Sequence, residues 1–588
     1  MRGRRDGAAD RIVLFRGVKE QATPMKGLRM ALMSELEPAR LPDQIRILPP
    51  LPWDSRGKVD RAKLREPGSA PAWMGVCSTS GLRQDSSMTR PRGLPSGSTR
   101  PLSDLPPDVL SMDRDEMRQL GYWVVDQVVR HFEHSAEGPA IRVGDPQRLR
   151  ALFGGDPPRL PGDPRIAMTS LVNGALENMQ HGDHPRYFAR VPGPSSYAGV
   201  LGDWLGTGFQ AIASSWAGGS GPATIELVVC EWLAALLNLP ASTEGVLVSG
   251  GSMANITALA AVRDVLGEGL IYLSDQTHAS IPRGLRLAGV TDDDLCVLTS
   301  DRHFRMPMDA LQHAVDQDRR AGRRPLMVIG TAGTTNSGTV DPLSKLADLC
   351  SRENLWFHVD GAYGGPAALC DAGRHALTGI ERADSIVLDP HKWLFQPYDV
   401  GCLLVTRPGF LERAYAMNPE YLQEVTARPG EIDLRNRSLE LTRRCRAIKL
   451  WLTFRTYGVD RLSQAIERGI ALAEHAEQLL QDDPFWELVT PAQLGVVTFT
   501  GGDLDGAHHR AAASALAADG FAALTTTQLH GRTVLRLCTI NPRTTEFDIA
   551  ETLRSLQGLL RGHDIKIDHI SAVTAMMPSE SSHSGLRS

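Results

Sequence analysis

The chain of 588 residues carries 63 Lys and Arg against 68 Asp and Glu, which gives a formal net charge of -5 at pH 7. This balance lacks the basic excess that binds a phosphate backbone, so it argues against a nucleic-acid partner. The length exceeds what one hydrophobic core usually supports, and a hydrophobic content of 42% is sufficient for two or more domains.

The cysteines and the apolar runs indicate the cellular compartment in which the protein is expected. The 8 cysteines are dispersed, with no CxxC pair and no His cluster at metal-ligand spacing, so they predict reduced core thiols, no metal site and a cytoplasmic location. No apolar run approaches the roughly 20 residues that span a bilayer, and the N-terminus lacks a secretory signal pattern. We therefore expect a soluble protein without a membrane partner.

The chain is predicted to divide into six segments: 1–67, 68–108, 109–195, 196–460, 461–570 and 571–588. The second is crowded with Pro, Gly, Ser and Thr and is predicted to be a flexible linker, and the last is a polar, Ser-rich tail that is predicted to be disordered. The third opens with MRQLGYWVVDQVVRHFEH, whose apolar residues recur at helical spacing and predict an amphipathic docking helix. The fourth is predicted to be the large domain and the fifth a smaller α+β domain.

From about residue 245, short apolar runs alternate with helical patterns. The runs are GVLVSGG, LIYLSD, LMVIGTAGTT, WFHVDGAYG, SIVLDPHKW and GCLLVT. Such alternation predicts parallel strands with crossover helices in a doubly wound α/β domain. Ligands bind outside the carboxyl ends of these strands, so the polar residues that end the runs should converge on one cleft: Ser249, Asp275, Thr331, Asp360 and Lys392.

The run VLVSGGSMANITALAAVR passes from a strand through two glycines and a serine into a helix. Exposed backbone N–H groups, the helix dipole and the hydroxyl of Ser252 would bind an anion there, with Gly251 allowing close approach. An ordinary strand-to-helix turn is the alternative interpretation of this segment.

Four further residues fit a pyridine cofactor with an aldehyde. Asp360 could pair with the ring nitrogen, and the small Ala362 would let a flat ring lie against it. Lys392 could form a Schiff base, for which a desolvated lysine with a lowered pKa is suited, and His278 could stack on the ring. Taken singly, Asp360 could be a turn or capping residue, Lys392 a solvated charge and His278 a structural histidine.

The ordered set SGGSMAN, SDQTHAS, GTAGTTNSGTVDP, HVDGAYGG and DPHKW resembles the group II pyridoxal-phosphate-dependent amino acid decarboxylases, and the aromatic branch is the nearer. The resemblance covers roughly residues 110–560. It implies the type I aminotransferase fold: α/β, with a mostly parallel seven-stranded central sheet, flanking helices and a smaller C-terminal α+β domain. It also implies pyridoxal 5'-phosphate as cofactor, an L-amino acid as substrate and a homodimer with active sites at the subunit boundary.

Carried over by position, the resemblance gives roles to the residues of these motifs. Lys392 matches the Schiff-base lysine, Asp360 the pyridinium partner and His278 the ring-stacking histidine, and these three are the predicted catalytic residues. The predicted cofactor-binding set adds the residue beneath the ring, the phosphate loop, the GTT loop and the two neighbours of the lysine: Ala362, Gly251, Ser252, Thr334, Asp389 and His391.

The resemblance implies decarboxylation of an amino acid to its amine and CO2, but the chain departs from the family at one point. A loop tyrosine of the aromatic decarboxylases is associated with the final protonation, and an ungapped count places Leu434 there, with Tyr421 in the same region. Two alternatives therefore stay open. They are an oxidative reaction that yields an aldehyde, and a protein that binds a partner without catalysis.

Residues 1–67 have a resemblance of their own. LMSELEPARLPDQIRILPPLPWDSRGKVDRAKL is similar to the end of the adenylation domain of nonribosomal peptide synthetases, in which Lys58 would match the lysine that contacts the acyl adenylate. The large ATP-binding lobe has no counterpart in the chain, so adenylation is not expected. The segment implies a link to secondary metabolism and a peptide synthetase as a possible partner.

Overall fold

The computed structural model describes residues 109–191, 193–417 and 428–562, together with residue 420. All of these except residue 109 belong to one unit, Leu110–Ser588. The adenylation-like segment, the linker, the C-terminal tail and Tyr421 lie outside the described residues. The predictions made for them, including a peptide synthetase partner, therefore stay predictions.

The helices of the described part follow in chain order: α1 Arg114–His134, α2 Pro146–Phe153, α3 Pro164–Leu171, α4 Tyr197–Gly208, α5 Trp216–Leu236, α6 Gly251–Leu266, α7 Ser280–Leu287, α8 Met308–Arg320, α9 Leu343–Glu353, α10 Asp371–Ala376, α11 Pro390–Trp393, α12 Phe410–Tyr415, α13 Ala447–Asp482, α14 Gly506–Asp519 and α15 Glu546–Arg561. The strands are β1 Glu244–Val248, β2 Leu270–Ser274, β3 Leu295–Leu298, β4 Pro325–Thr331, β5 Trp356–Asp360, β6 Ser385–Leu388, β7 Gly401–Val405, β8 Trp486–Gln493, β9 Val496–Gly501, β10 Thr525–Leu529 and β11 Arg532–Cys538.

The large sheet has seven strands in the order β1-β7-β6-β5-β4-β2-β3. Every residue of β1, β2, β5, β6 and β7 is buried, as expected for strands covered by helices on both faces. The pairs β2–β3, β2–β4, β4–β5 and β5–β6 are parallel. The prediction of a mostly parallel seven-stranded sheet is thus confirmed.

Two details differ from the prediction. The run GCLLVT forms β7, which was expected to be parallel but pairs antiparallel with both β1 and β6. The connection from β6 contains the four-residue helix α11 and no long crossover helix, so the chain re-enters the sheet in the opposite direction. The edge strand β3 was not predicted, because it is four residues long and only partly buried.

The predicted docking helix is α1. The carboxylate of Asp113 caps it and accepts hydrogen bonds from the backbone N–H groups of Asp115 at 2.7 Å and Glu116 at 3.1 Å. None of the residues of α1 is buried.

The C-terminal part forms a second sheet, with the antiparallel order β10-β11-β9-β8. The long helix α13 leads to it and contains Gly458 in a non-helical conformation, with φ of 72°. Predicted domain boundaries at 460/461 and elsewhere stay predictions. Among the described helices, none is long and apolar enough to cross a membrane.

Candidate functional site

A cavity of about 380 Å³ lies at the carboxyl ends of the parallel strands. Its volume is within the range of about 300–1,000 Å³ that ligand pockets usually have. Its walls include most of the residues singled out from the sequence: Gly251, Ser252, His278, Asp360, Ala362, Asp389, His391 and Lys392. The fold therefore brings together residues that are far apart in the sequence, since Gly251 and Lys392 are separated by 141 positions.

Two residues of the predicted cleft lie elsewhere. The prediction that Asp275 lies in the cleft is wrong, because this residue does not line the cavity. Its Oδ1 accepts hydrogen bonds from the backbone N–H of Ser300 and from Gln276 Nε2, both at 3.2 Å. Thr334 is fully buried and its Oγ1 lies 2.8 Å from Ser337 Oγ within the same loop, while its neighbours Gly333 and Thr335 line the cavity. The role of Thr334 as a cofactor ligand stays a prediction.

Lys392 lies on the short helix α11, directly after β6. Its side chain is 24% exposed, and its Nζ lies 3.1 Å from Asp389 Oδ2. Burial acts to lower the pKa of Lys392, but the carboxylates of Asp389 and Asp360 outweigh it and raise that pKa above its ordinary value. The sequence predicted a lowered pKa for Lys392, but in the protein by itself this pKa is raised, because two carboxylates lie near the amine.

Asp360 ends β5 and is nearly buried, at 5% exposed. Its Oδ1 accepts the backbone N–H of Ala362 at 3.1 Å, and its Oδ2 accepts from Asn255 Nδ2 at 3.3 Å. A carboxylate held by two donors in a dry site can pair with a protonated ring nitrogen.

The loop between β1 and α6 has the form that anion binding requires. Gly250 has φ of 154°, which L-residues rarely adopt, and α6 begins at Gly251 with no side-chain cap. A methyl group at Gly251 would lie 2.7 Å from Asp389 Oδ2 and 3.1 Å from the Ala362 methyl carbon. The first-turn N–H groups and the exposed Ser252 are thus available to a phosphate group.

Two histidines border the cavity. His278 is exposed, and its Nδ1 accepts the backbone N–H of Ser280 at 3.2 Å. His391 donates from Nδ1 to the carbonyl oxygen of Val400 at 2.7 Å. Burial outweighs the attraction of Asp389 and lowers the pKa of His391, so this imidazole is favoured in its neutral form.

Two buried oxygen atoms in residues of the cavity wall indicate that the cavity binds a polar ligand. Asp389 Oδ1 and Thr331 Oγ1 have no hydrogen-bond partner among the described residues. Buried polar atoms normally have a partner, so a bound group that supplies one would complete the site. Together with the amine of Lys392, the carboxylate of Asp360 and the glycine loop, these atoms fit pyridoxal phosphate.

Sequence reasoning missed three residues around the cavity. Asn255 and His358 lie in the quoted motifs SGGSMAN and HVDGAYGG, where a polar side chain in an otherwise apolar run was the available signal. Arg536 is 2% exposed and donates from Nε to the carbonyl oxygen of Thr335 at 2.7 Å, and its Nη2 has no partner among the described residues. Its run, TVLRLCTINP, gave no sign of a role at this site.

Residues 168–501 match the family described as the pyridoxal-dependent decarboxylase conserved domain. The chain belongs to this family. It is accordingly a pyridoxal-phosphate-dependent amino acid decarboxylase, as the sequence motifs implied. The chain is also similar to individual relatives and solved structures of the family.

The chain is 42% identical over 463 residues to an aromatic-L-amino-acid decarboxylase of Bacillus atrophaeus, a match that covers 76% of this chain and 96% of that protein. It is 31% identical over 470 residues to a phenylacetaldehyde synthase of Arabidopsis thaliana, again with 76% and 96% covered. A crystal structure of Oryza sativa TDC with PLP and tryptamine superposes with a TM-score of 0.72 at 28% identity, covering 76% of this chain and 98% of that one. The type I aminotransferase-like fold is thereby confirmed.

Proposed function

We propose that this decarboxylase acts on an aromatic L-amino acid, releasing the corresponding amine and CO2, and that it works as a homodimer. The observation that carries the proposal is the convergence of Lys392 and Asp360 on one cavity, at the ends of the neighbouring strands β6 and β5. The aromatic preference rests on the relatives, since the Bacillus atrophaeus protein is named for aromatic amino acids and the Oryza sativa structure contains tryptamine.

Each residue of the cavity has a defined part in this proposal. Lys392 would hold the cofactor covalently, Asp360 would keep a proton on the ring nitrogen, and the small Ala362 would leave room for the ring. When bound, pyridoxal phosphate supplies an electron sink for the pair of electrons that the departing CO2 leaves behind. Asp389 and Asp360 give the site two negative charges, which match positive charge at the lysine nitrogen and at the ring nitrogen.

The remaining residues bind and orient. Gly251 and Ser252, at the N-terminus of α6, hold the phosphate group, because backbone N–H groups and the helix dipole favour an anion there. His278, which is exposed at the cavity, would stack on the ring. Its Nε2 is left free to hold a proton on the substrate side, because Nδ1 accepts hydrogen bonds from Ser280.

A second candidate function is oxidative, with dioxygen as the co-reactant. An amino acid, O2 and water would give an aldehyde, CO2, ammonia and hydrogen peroxide. Two observations favour it. An ungapped count places Leu434 where the family has a tyrosine, and this leucine is buried in the core and does not line the cavity; the relatives also include a phenylacetaldehyde synthase.

The two reactions are separated by their products. Purified enzyme with pyridoxal phosphate is incubated in air with each of the twenty L-amino acids, and amine, aldehyde and peroxide are measured by mass spectrometry and a peroxidase assay. We expect an amine from phenylalanine, tyrosine or tryptophan with no stoichiometric peroxide. Aldehyde with equimolar peroxide would establish the oxidative reaction, and absence of CO2 from every aromatic amino acid would overturn the aromatic assignment.

The homodimer is supported by an exposed apolar face on α1 and α4. In this face Trp204 is 50%, Leu205 53% and Tyr122 59% exposed, and an apolar groove of about 320 Å³ runs between the two helices. Exposed patches of this kind mark association surfaces, and a second copy would cover this one.

Sedimentation velocity tests the dimer. We expect the wild type to sediment as a dimer and Trp204→Glu to shift toward monomer, because a carboxylate would be buried without a partner. Phe547→Glu is the matched control, since Phe547 is 69% exposed on α15 and its replacement should leave the dimer intact. A monomeric wild type at assay concentration would contradict the proposal.

A further inference from the structure

Asn255 is a buried polar residue in the wall of the cavity. It is 1% exposed and lies on the first two turns of α6. Its Nδ2 donates to Asp360 Oδ2 and to Ser280 Oγ, each at 3.3 Å, and its Oδ1 lies 3.0 Å from His358 Nε2. One amide therefore contacts three other polar side chains.

The orientation of this amide is fixed by its charged neighbour. If Asn255 were turned over, its Oδ1 would face the carboxylate of Asp360, and two acceptors would repel each other. With Nδ2 toward Asp360, the Oδ1 atom faces His358, which must then carry its proton on Nε2.

The far side of His358 supports the same tautomer. Trp356 Nε1 can only donate, and it does so to Ser385 Oγ at 2.8 Å, so the Ser385 hydroxyl is free to donate to His358 Nδ1 at 2.8 Å. Desolvation lowers the pKa of His358 to about 4, which keeps the ring neutral. Trp356, Ser385, His358, Asn255 and Asp360 thus form a buried hydrogen-bond chain with one consistent direction.

A branch of this chain reaches His278. Ser280 Oγ receives a hydrogen bond from Asn255, so its own proton is available to His278 Nδ1, 2.9 Å away. The backbone N–H of Ser280 donates to the same nitrogen at 3.2 Å. Two donors at Nδ1 leave the proton of neutral His278 on Nε2.

We propose that Asn255 is a positioning residue that couples the two sides of the active site, holding the carboxylate of Asp360 against the cofactor ring nitrogen and, through the Ser280 hydroxyl, reinforcing the tautomer of His278 that the backbone N–H of Ser280 also favours. The buried hydrogen-bond chain holds Asn255 in the orientation that serves both. This rests on the proposed roles of Asp360 and His278, so the experiment tests these separately.

The first measurement is cofactor affinity. The dissociation constant of pyridoxal phosphate is determined by titration of the apoprotein, followed by the visible absorbance of bound cofactor, for wild type, Asn255→Ala and Asp360→Asn. We expect Asn255→Ala to weaken binding about tenfold or more, because the buried carboxylate loses one of its two hydrogen bonds. Thr257→Val is the matched control, since it removes a hydrogen bond to the Met253 carbonyl oxygen elsewhere on α6 and should keep the affinity within about twofold of wild type.

The outcomes separate the inference from the function on which it rests. If Asp360→Asn weakens binding and Asn255→Ala does not, the role of Asn255 is refuted and that of Asp360 stands. If Asp360→Asn itself has wild-type affinity and absorbance, the proposed role of Asp360 fails. Thermal unfolding of each apoprotein identifies a variant that has simply failed to fold, and in that case Asn255→Asp decides.

Asn255→Asp provides a signature that a merely structural role would not give. It places a second carboxyl next to Asp360, with neutral His358 and Ser280 as its other neighbours. At neutral pH the two carboxylates repel and cofactor should be lost, whereas at about pH 5 a proton shared between them should restore part of the affinity. Wild type is titrated at the same pH values, and unchanged or falling affinity of Asn255→Asp on acidification would refute the coupling.

The branch to His278 has its own test. Ser280→Ala should keep the cofactor dissociation constant within about twofold of wild type but lower kcat about tenfold, because the shorter of the two hydrogen bonds that hold His278 Nδ1 is lost and only the backbone N–H of residue 280 remains. Ser280→Thr, which retains the hydroxyl, should restore kcat. A Ser280→Ala enzyme with wild-type kcat, or a Ser280→Thr enzyme without recovery, would show that this branch has no part in catalysis.

Discussion

Gly193→Ala should impair catalysis although residue 193 carries no functional group. A methyl group there would overlap the carbonyl oxygen of His391 and lie 2.9 Å from that of Lys392. Both oxygens belong to the main chain of the lysine helix, so relieving the overlap requires a shift of this backbone on the order of 1 Å, and a misplacement of about 1 Å can lower a rate about 100-fold.

The assay compares kcat/KM and the absorbance of bound cofactor for wild type and Gly193→Ala. Gly208→Ala is the control, because a methyl group at Gly208 would meet no atom within 4 Å. We expect kcat/KM of Gly193→Ala to fall about 100-fold, with Gly208→Ala close to wild type. A Gly193→Ala enzyme within about twofold of wild type would refute the link between this close approach and the placement of Lys392.

Three other changes have defined outcomes. Lys392→Ala should abolish the visible absorbance of covalently bound cofactor and the release of CO2, and retention of that absorbance would refute the assignment. Glu226→Gln should lower the free energy of unfolding by about 3 kcal/mol in urea denaturation, because the fully buried guanidinium of Arg443 loses its buried counter-charge 2.5 Å away and keeps the more distant Glu440 carboxylate at 3.9 Å. The hydrogen bond to Asp183 raises the pKa of His131, so the protonated imidazole stabilises the folded state below about pH 6.5, as long as the Asp183 carboxylate, whose pKa is lowered, stays ionised. The contribution is lost as the pH rises above about 6.5, and His131→Gln should flatten this slope.

The last two predictions each have an outcome that would contradict them, and the first of these has a control variant. Glu177→Gln breaks the ion pair with Arg142, in which both side chains are about half exposed, and should change the free energy of unfolding by less than about 1 kcal/mol. A Glu226→Gln protein no less stable than Glu177→Gln would contradict the buried-pair account. Equal pH slopes for wild type and His131→Gln would show that the Asp183 contact does not govern this range.

The proposed chemistry of the site could be read from the sequence because its residues end apolar runs. A strand is recognised locally by its short apolar run, and the residues that end a parallel strand lie at the edge of the sheet where ligands bind. Asp360, Thr331 and Lys392 followed this rule and reached the cavity. The motifs were specific in combination, which allowed the family and the cofactor to be recognised.

The same rule failed for Asp275, because position at a strand end does not fix the direction of a side chain. Backbone and side-chain donors of Ser300 and Gln276 hold its carboxylate away from the cavity. The antiparallel direction of β7 could not be predicted from the sequence either, because an apolar run has the same composition whichever way the strand runs in the sheet.

By itself, the sequence predicted the fold class from local patterns, and the order of its motifs implied, through a family resemblance, the cofactor and the residues proposed to hold it. The tertiary structure decided which partners each polar atom has. It raised the pKa of Lys392 by placing two carboxylates beside it, and it linked Asn255 to residues 25 and 105 positions away. Hydrogen bonds and charges act over a few ångströms in space, and separation along the chain does not encode that distance.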